Sequence, residues 1–134
     1  MLRAWNHADG RLAPTEDPAR AVWIDMLDPD AETLAAGADA LGAPLPSRET
    51  MEEIEHSSRV YREGGAAYLT VMVPTRPASG ARAVGPVAFV LARGRLATVR
   101  FHAPSAFETY PARAGDSAAG CATGWPRAAN LAKA

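Results

Sequence analysis

Dense apolar runs of strand length recur along the chain, separated by short polar segments that contain glycine or proline. Runs of about four to eight apolar residues bounded by such turn signals predict buried β-strands. Residues 87–92 and 96–101 flank Arg93-Gly94 and predict a hairpin, and a weaker hairpin is predicted around Asp9-Gly10. The remaining predicted strands are residues 21–27, 59–62 and 67–73.

Apolar residues recur at helical spacing after the first dense run. Asp28 is expected to cap this first helix with Pro29 at its first position, and Gly42 is expected to end it. The inward-facing stripe consists of Leu34, Ala38 and Leu41.

A second predicted helix begins after Ser47, which is its expected cap, and is rich in acids. Met51 and Ile54 are three residues apart and are expected to face the core, which leaves the glutamates on the exposed side. A third helix is predicted over residues 105–113, where Phe107 and Tyr110 share one face.

The order of these elements predicts an α/β (α+β) fold, a mixed β-sheet of about five to six strands flanked by helices. The hairpin-rich second half favours antiparallel pairs, and the strand-helix-helix-strand order near the start requires a crossover connection. Residues 1–114 are predicted to form one domain. Residues 115–134 are rich in Gly and Ala and are predicted to be a tail of low order.

Composition excludes several classes of function. The chain has 134 residues, 48% of them apolar, and a net charge of -1 with no basic cluster, so a nucleic-acid surface is not expected. A single cysteine, Cys121, excludes an internal disulfide and a multi-cysteine zinc site. No segment reaches the roughly 20 apolar residues that span a bilayer, so the chain is expected to be soluble and cytoplasmic.

Several sequence phrases together resemble the N-terminal cytoplasmic domain of the CorA-type divalent-cation (magnesium) transporters. The first are the W-I-D strand, the L-P-S-R link, the M-E-E-I-E helix start and the S-S-R-V-Y exit. They are followed by G-A-A-Y-L-T-V, by P-V-A-F-V-L-A-R-G-R-L-A-T-V-R and by H-A-P-S-A-F. Each phrase alone is common, but their order over residues 22–113 is more specific.

The resemblance implies a cytoplasmic α/β/α domain that regulates a homopentameric magnesium transporter, with relatives that move cobalt, nickel or zinc. It also implies a stalk helix, two membrane helices and a Gly-Met-Asn motif, none of which this sequence contains. The chain departs from the family pattern after about Arg113. We therefore expect a truncated regulatory domain without the transmembrane pore, whose full-length form lies at the cytoplasmic face of the inner membrane.

The resemblance also indicates a candidate metal site in the acidic second helix. An acidic pair before the isoleucine of this helix lies near a regulatory intersubunit ion in the family, and Glu53, together with Glu52, matches it here. Mg²⁺ prefers carboxylate oxygens and keeps most of its water, so weak binding is expected. A solvated helix face without a metal is the competing interpretation.

Two other functions stay open at this point. One is a stand-alone soluble α/β module that binds a partner or ligand and has no transport activity. The other is a small metal-dependent enzyme using Asp25, Asp28 and Glu52, which is less favoured because no nucleophile and base converge in the sequence. Catalysis is therefore not expected, and Asp25 is interpreted as a strand-end residue that bonds a turn amide.

Overall fold

The computed structural model of the chain describes residues 1–53, 59–75, 80 and 83–116. The three helices of this part are α1 (Ala31–Leu41), α2 (Arg48–Glu52) and α3 (Ala106–Asp116), and a short 3₁₀ turn spans Pro18–Arg20. The strands are β1 (Leu2–Ala8), β2 (Arg11–Pro14), β3 (Trp23–Leu27), β4 (Arg59–Glu63), β5 (Ala66–Thr75), β6 (Ala83–Ala92) and β7 (Arg95–Arg100).

The seven strands form one mixed sheet in the order β2-β1-β3-β7-β6-β5-β4. Among the described residues, the central β3–β7 pair is parallel and the other five neighbouring pairs are antiparallel. The predicted mixed sheet is confirmed. The sheet has seven strands instead of the five to six expected, because the weakly patterned N-terminal hairpin joins it at β3 and β4 joins it at β5.

Two hairpin turns form where the sequence predicted them. Asp9 and Gly10 have φ of 53° and 77°, and Arg93 and Gly94 have φ of 55° and 73°. Positive φ at both central residues is the type I′ geometry, whose twist matches that of paired strands. Glycine at the second position of each turn adopts this conformation without a steric cost.

Helices α1 and α2 connect β3 to β4 across one face of the sheet, which we call the α1 face. Leu41 and Met51 are buried there with Ile24 and Met26 of β3, and Leu34 packs against this cluster. Gly42 ends α1 with φ of 84°, as predicted.

The start of α1 differs from the prediction. The N-cap is Asp30, whose carboxylate accepts a hydrogen bond of 2.7 Å from the amide of Thr33 and whose pKa is lowered by that bond. Asp28 instead has φ of 48° and donates its amide to the carbonyl of Arg100 at 2.9 Å. Asp28 therefore turns the chain out of the sheet, and the helix begins two residues later than expected.

The opposite face of the sheet, which we call the α3 face, is covered by α3. Phe107 and Tyr110 are buried against Trp23, whose ring stacks on Trp5 at 4.4 Å between centroids. The predicted shared face of Phe107 and Tyr110 is confirmed. The helix contains Pro111 and continues through Asp116; residues 117–134, which hold the rest of the predicted tail, lie outside the described residues.

Candidate metal site and a buried charge network

The predicted acidic site lies at the end of α2. Ser47 caps the helix by accepting a bond of 3.2 Å from the amide of Thr50, and Met51 is buried, as predicted. Glu52 and Glu53 are exposed. The other residue expected to face inward, Ile54, lies outside the described residues together with Glu55 and His56.

Glu52 is already paired with a cation on its own helix. Arg48 Nε lies 2.9 Å from Glu52 Oε1 in an (i, i+4) contact, and the two side chains are 58% and 56% exposed. The hydrogen bond to Glu52 raises the pKa of Arg48. Any cation that approaches Glu52 therefore competes with this guanidinium.

A surface cavity of about 410 Å³ lies beside this pair, between the starts of α1 and α2. Arg48 contributes to its wall and lies 5.1 Å from the ring centroid of Phe101. Three carboxylates also line the cavity: Asp28, Asp30 and Glu49. The surroundings of Arg48 are thus acidic, although two of these carboxylates belong to the first turns of the helices.

Side chains that could bind a metal ion do not cluster in the described part of the chain. Across residues 1–53, 59–75, 80 and 83–116, no group of three or more His, Cys, Asp or Glu side chains could hold a metal ion. Glu52 and Glu53 are adjacent carboxylates on an exposed helix end. A pair of this kind suits an ion that retains most of its hydration shell.

A charge network that the sequence did not predict lies under α3. Asp25 is 1% exposed and accepts hydrogen bonds from Arg100 Nε at 3.1 Å and from Arg100 Nη2 at 2.8 Å. The hydroxyl of Thr98 donates to Asp25 at 2.8 Å, and Trp23 Nε1 donates to that hydroxyl at 3.1 Å. Asp25 thus links the parallel strands β3 and β7, and the expectation that it bonds a turn amide is wrong.

Arg3 extends the network to α3. Its guanidinium lies 3.3 Å from Asp25 and 3.1 Å from Glu108, and it donates to the carbonyl of Phe107 at 3.3 Å. The guanidinium of Arg100 also lies over the ring of Phe107, 4.3 Å from its centroid. These contacts fix the start of α3 on the sheet, which is a structural role.

The three carboxylates of the enzyme hypothesis do not form a site. Asp25 is buried in its network, whereas Glu52 is exposed and paired with Arg48, and Asp28 lies in the wall of the cavity beside α2. In a catalytic site these groups would need to converge on one substrate. The hypothesis of an enzyme that uses this set is therefore not supported.

The side chain of His102 contacts the backbone of strands β5 and β6. Its Nε2 lies 2.8 Å from the carbonyl oxygen of Val73, and its ring packs on Gly85, where an added Cβ would lie 2.8 Å from Nδ1. Gly85 itself belongs to β6. The single cysteine, Cys121, lies outside the described residues.

Within the described residues, α1, α2 and α3 are all too short or too polar to cross a bilayer as a helix. The longest of them, α1 and α3, have 11 residues each. A spanning helix needs about 20.

The chain is similar in sequence to part of the magnesium transport protein CorA. No family model matches the sequence. It is 31% identical over 119 residues to the magnesium transport protein CorA of Escherichia coli (strain K12), a match that covers 85% of this chain and 38% of that protein. The identity to CorA of Haemophilus influenzae is 29% over 117 residues, with 84% and 37% covered. The chain thus spans less than half the length of these curated relatives.

Solved structures share the fold. The soluble domain of CorA from Methanocaldococcus jannaschii superposes with a TM-score of 0.59 at 13% identity, over 81% of this chain and 44% of that one. The full-length CmaX protein superposes with a TM-score of 0.63 at 15% identity, over 97% of this chain and 42% of that one. The mixed seven-stranded sheet with its few helices matches the architecture of the soluble domain of CorA from Methanocaldococcus jannaschii.

Proposed function

We propose that this chain, a homologue of the soluble N-terminal domain of the CorA magnesium transport proteins, is the magnesium-responsive regulatory domain of such a transport protein. The observation that carries the proposal is the 31% identity to a magnesium transport protein, sustained over 85% of the chain. The superposition on the soluble domain of CorA from Methanocaldococcus jannaschii supports a shared fold. We assign transport itself to membrane-spanning segments, which are absent from the described residues.

Glu52 and Glu53 are the proposed contact with the ion. Both are exposed carboxylates at the end of a capped helix, held there by the burial of Met51. Hydrated Mg²⁺ binds through one or two carboxylates and retained water, which matches a pair without a third protein ligand among the described residues. Carboxylate oxygens suit magnesium, and the pair offers neither the imidazole nor the thiolate ligands that suit nickel and zinc.

The remaining ligands are proposed to come from a neighbouring subunit. In the full-length protein we propose a homo-oligomer, a pentamer by the family resemblance, held at the cytoplasmic face of the membrane by segments beyond this domain. An ion bridged between exposed carboxylates of two subunits would stabilise one arrangement of the oligomer at high magnesium. Because Arg48 neutralises Glu52, binding within a single subunit would be weak.

A chimera tests this function. The matched region of Escherichia coli CorA is replaced by the corresponding residues of this chain, and magnesium uptake is measured in cells that lack other uptake systems. We expect the chimera to reach the membrane, to support uptake, and to close at high internal magnesium. A chimera that assembles and conducts but ignores internal magnesium would contradict a regulatory role and favour a module without that role.

A further inference from the structure

Arg48 lies between the proposed magnesium contact and the cavity at the starts of α1 and α2, which we call the acidic cavity. On one side, its Nε lies 2.9 Å from Glu52 Oε1. On the other, its guanidinium lies 5.1 Å from the ring centroid of Phe101, in the wall of the cavity. One long cationic side chain therefore borders two anionic environments.

We propose that Arg48 is a tethered cation that exchanges between Glu52 and the acidic cavity, and that magnesium bound at Glu52 moves it into the cavity. The exchange rests on the proposed magnesium contact and assigns the regulation of that contact to the residue beside it. Without magnesium, the guanidinium neutralises Glu52. With magnesium, it takes the second position, beside the carboxylates that line the cavity.

The contact between Arg48 and Glu52 is weak enough to exchange. Both side chains are more than half exposed, and exposed ion pairs contribute little to stability because water screens them and two long side chains must be ordered. A divalent ion carries twice the charge of the guanidinium, so it competes well for the same carboxylate. Once bound, the ion repels the guanidinium that it has displaced.

The acidic cavity supplies partners for the displaced guanidinium. The hydrogen bond to Glu52 is the main cause of the raised pKa of Arg48, and the charges of Asp28 and Glu49 in the cavity wall add to it. The volume of about 410 Å³ leaves room for the planar guanidinium between the two helices. The ring of Phe101 also attracts a cation placed over its face.

The cavity connects α2 to the start of α1 and to the sheet. Asp30, in its wall, caps α1 through the amide of Thr33, and the backbone of Asp28 bonds to Arg100 at the end of β7. A cation that moves toward these carboxylates changes the electrostatic field at the first turn of α1. The exchange thus carries the presence of magnesium from the exposed end of α2 toward the centre of the domain.

Glu52→Gln tests the exchange in the absence of magnesium, because it removes the charge that holds Arg48 at the edge of the cavity. We expect the NMR signal of the Thr33 amide to shift, and nuclear Overhauser contacts between Arg48 and Leu34, which lines the cavity, to strengthen. The shift of Thr33 should disappear when Glu52→Gln is made in an Arg48→Gln background. Asp39→Asn removes the same charge at an exposed position of α1 and should not reproduce the contacts with Leu34.

Glu49→Gln tests the exchange in the presence of magnesium. Removing a carboxylate from the cavity wall should hold Arg48 at Glu52 and raise the apparent dissociation constant for magnesium about 2- to 5-fold, the scale of one exposed ion pair. In an Arg48→Gln background the rise should largely disappear, since Glu49 then acts on the ion only directly. Asp39→Asn should leave the constant unchanged in both backgrounds.

Thermal melts establish that each variant is folded, and the titrations separate the exchange from the magnesium contact itself. A parent chain whose α2 amides ignore magnesium would contradict the contact at Glu52, and its regulation by Arg48 would fall with it. A chain that binds magnesium but shows equal rises for Glu49→Gln in both backgrounds would overturn the exchange alone. So would a Thr33 shift in Glu52→Gln that persists without Arg48.

Discussion

Arg100 and Asp25 face each other across the parallel β3–β7 pair, with Arg100 Nη2 2.8 Å from Asp25 Oδ2 and both side chains 1% exposed. Their geometry is bidentate, because Arg100 Nε also donates to the other carboxylate oxygen. Removing one partner of such a pair leaves a buried charge without compensation. The pair therefore makes β3, β7 and the start of α3 depend on one another.

Asp25→Asn should lower the free energy of unfolding by about 3–5 kcal/mol, because Arg100 stays buried without its counter-ion. The measurement is urea denaturation followed by far-UV circular dichroism. Glu108→Gln is the matched control, since Glu108 is 71% exposed in its contact with Arg3 and its loss should cost no more than about 1 kcal/mol. Equal losses of unfolding free energy in the two variants would show that the burial of Asp25 does not determine its contribution to stability.

The sequence anticipated the parts of the fold that depend on neighbouring residues. Asp9-Gly10 and Arg93-Gly94 define their hairpins, and Ser47 defines the start of α2, because each acts on residues within three positions. The two aspartates around Pro29 are both suitable caps, and the prediction of Asp28 is wrong because Asp30 caps the helix. The choice between them depends on Asp28 bonding Arg100, a residue far along the chain.

The role of Asp25 was not predictable for the same reason. Its partners Thr98 and Arg100 are 73 and 75 residues away in sequence and become neighbours only through the β3–β7 pairing. The exposure of Glu52 and Glu53 was predicted from the three-residue spacing of Met51 and Ile54, of which Met51 is buried as expected. The Arg48–Glu52 contact has the (i, i+4) spacing that could have revealed it in the sequence.

Gly85→Ala should destabilise the protein by about 1–3 kcal/mol, because the new methyl group would lie 2.8 Å from His102 Nδ1. The same substitution in a His102→Ala background should cost less, since the smaller side chain leaves room for the methyl group. The four proteins form a double-mutant cycle measured by urea denaturation. Additive losses would place the cause of the Gly85 effect elsewhere than at His102.

Tyr68 should make stability depend on pH in the alkaline range. Its hydroxyl donates to the carbonyl of Pro44 at 2.8 Å, and burial raises its pKa above the ordinary value of 10.0. A raised pKa in the folded state means that this contribution is complete below the unfolded pKa and is lost as pH rises through the folded pKa. We measure the free energy of unfolding on both sides of pH 10. It should fall less steeply with rising pH in Tyr68→Phe than in the parent chain, and identical slopes in the two proteins would contradict this prediction.

Arg48→Gln should strengthen the response of the domain to magnesium. The substitution removes the guanidinium that neutralises Glu52. This guanidinium also lies beside the carboxylates that line the neighbouring cavity. Magnesium titrations at low ionic strength, followed by NMR shifts of the α2 amides, should give a lower apparent dissociation constant than in the parent chain. Arg20→Gln, at an exposed position away from α2, is the matched control and should leave the constant unchanged. A weaker response in Arg48→Gln would mean that Arg48 helps to hold the ion or its water.

Magnesium binding at Glu52 and Glu53 is tested most directly by melting curves of the parent chain and of Glu52→Gln/Glu53→Gln across millimolar magnesium, at constant ionic strength. We expect the parent to gain about 2–4 °C in Tm when free magnesium reaches twice its dissociation constant, and the double variant to fold but gain nothing. Glu32→Gln/Asp39→Asn, at exposed positions of α1, should respond like the parent. An unchanged magnesium response in Glu52→Gln/Glu53→Gln would contradict the proposed site.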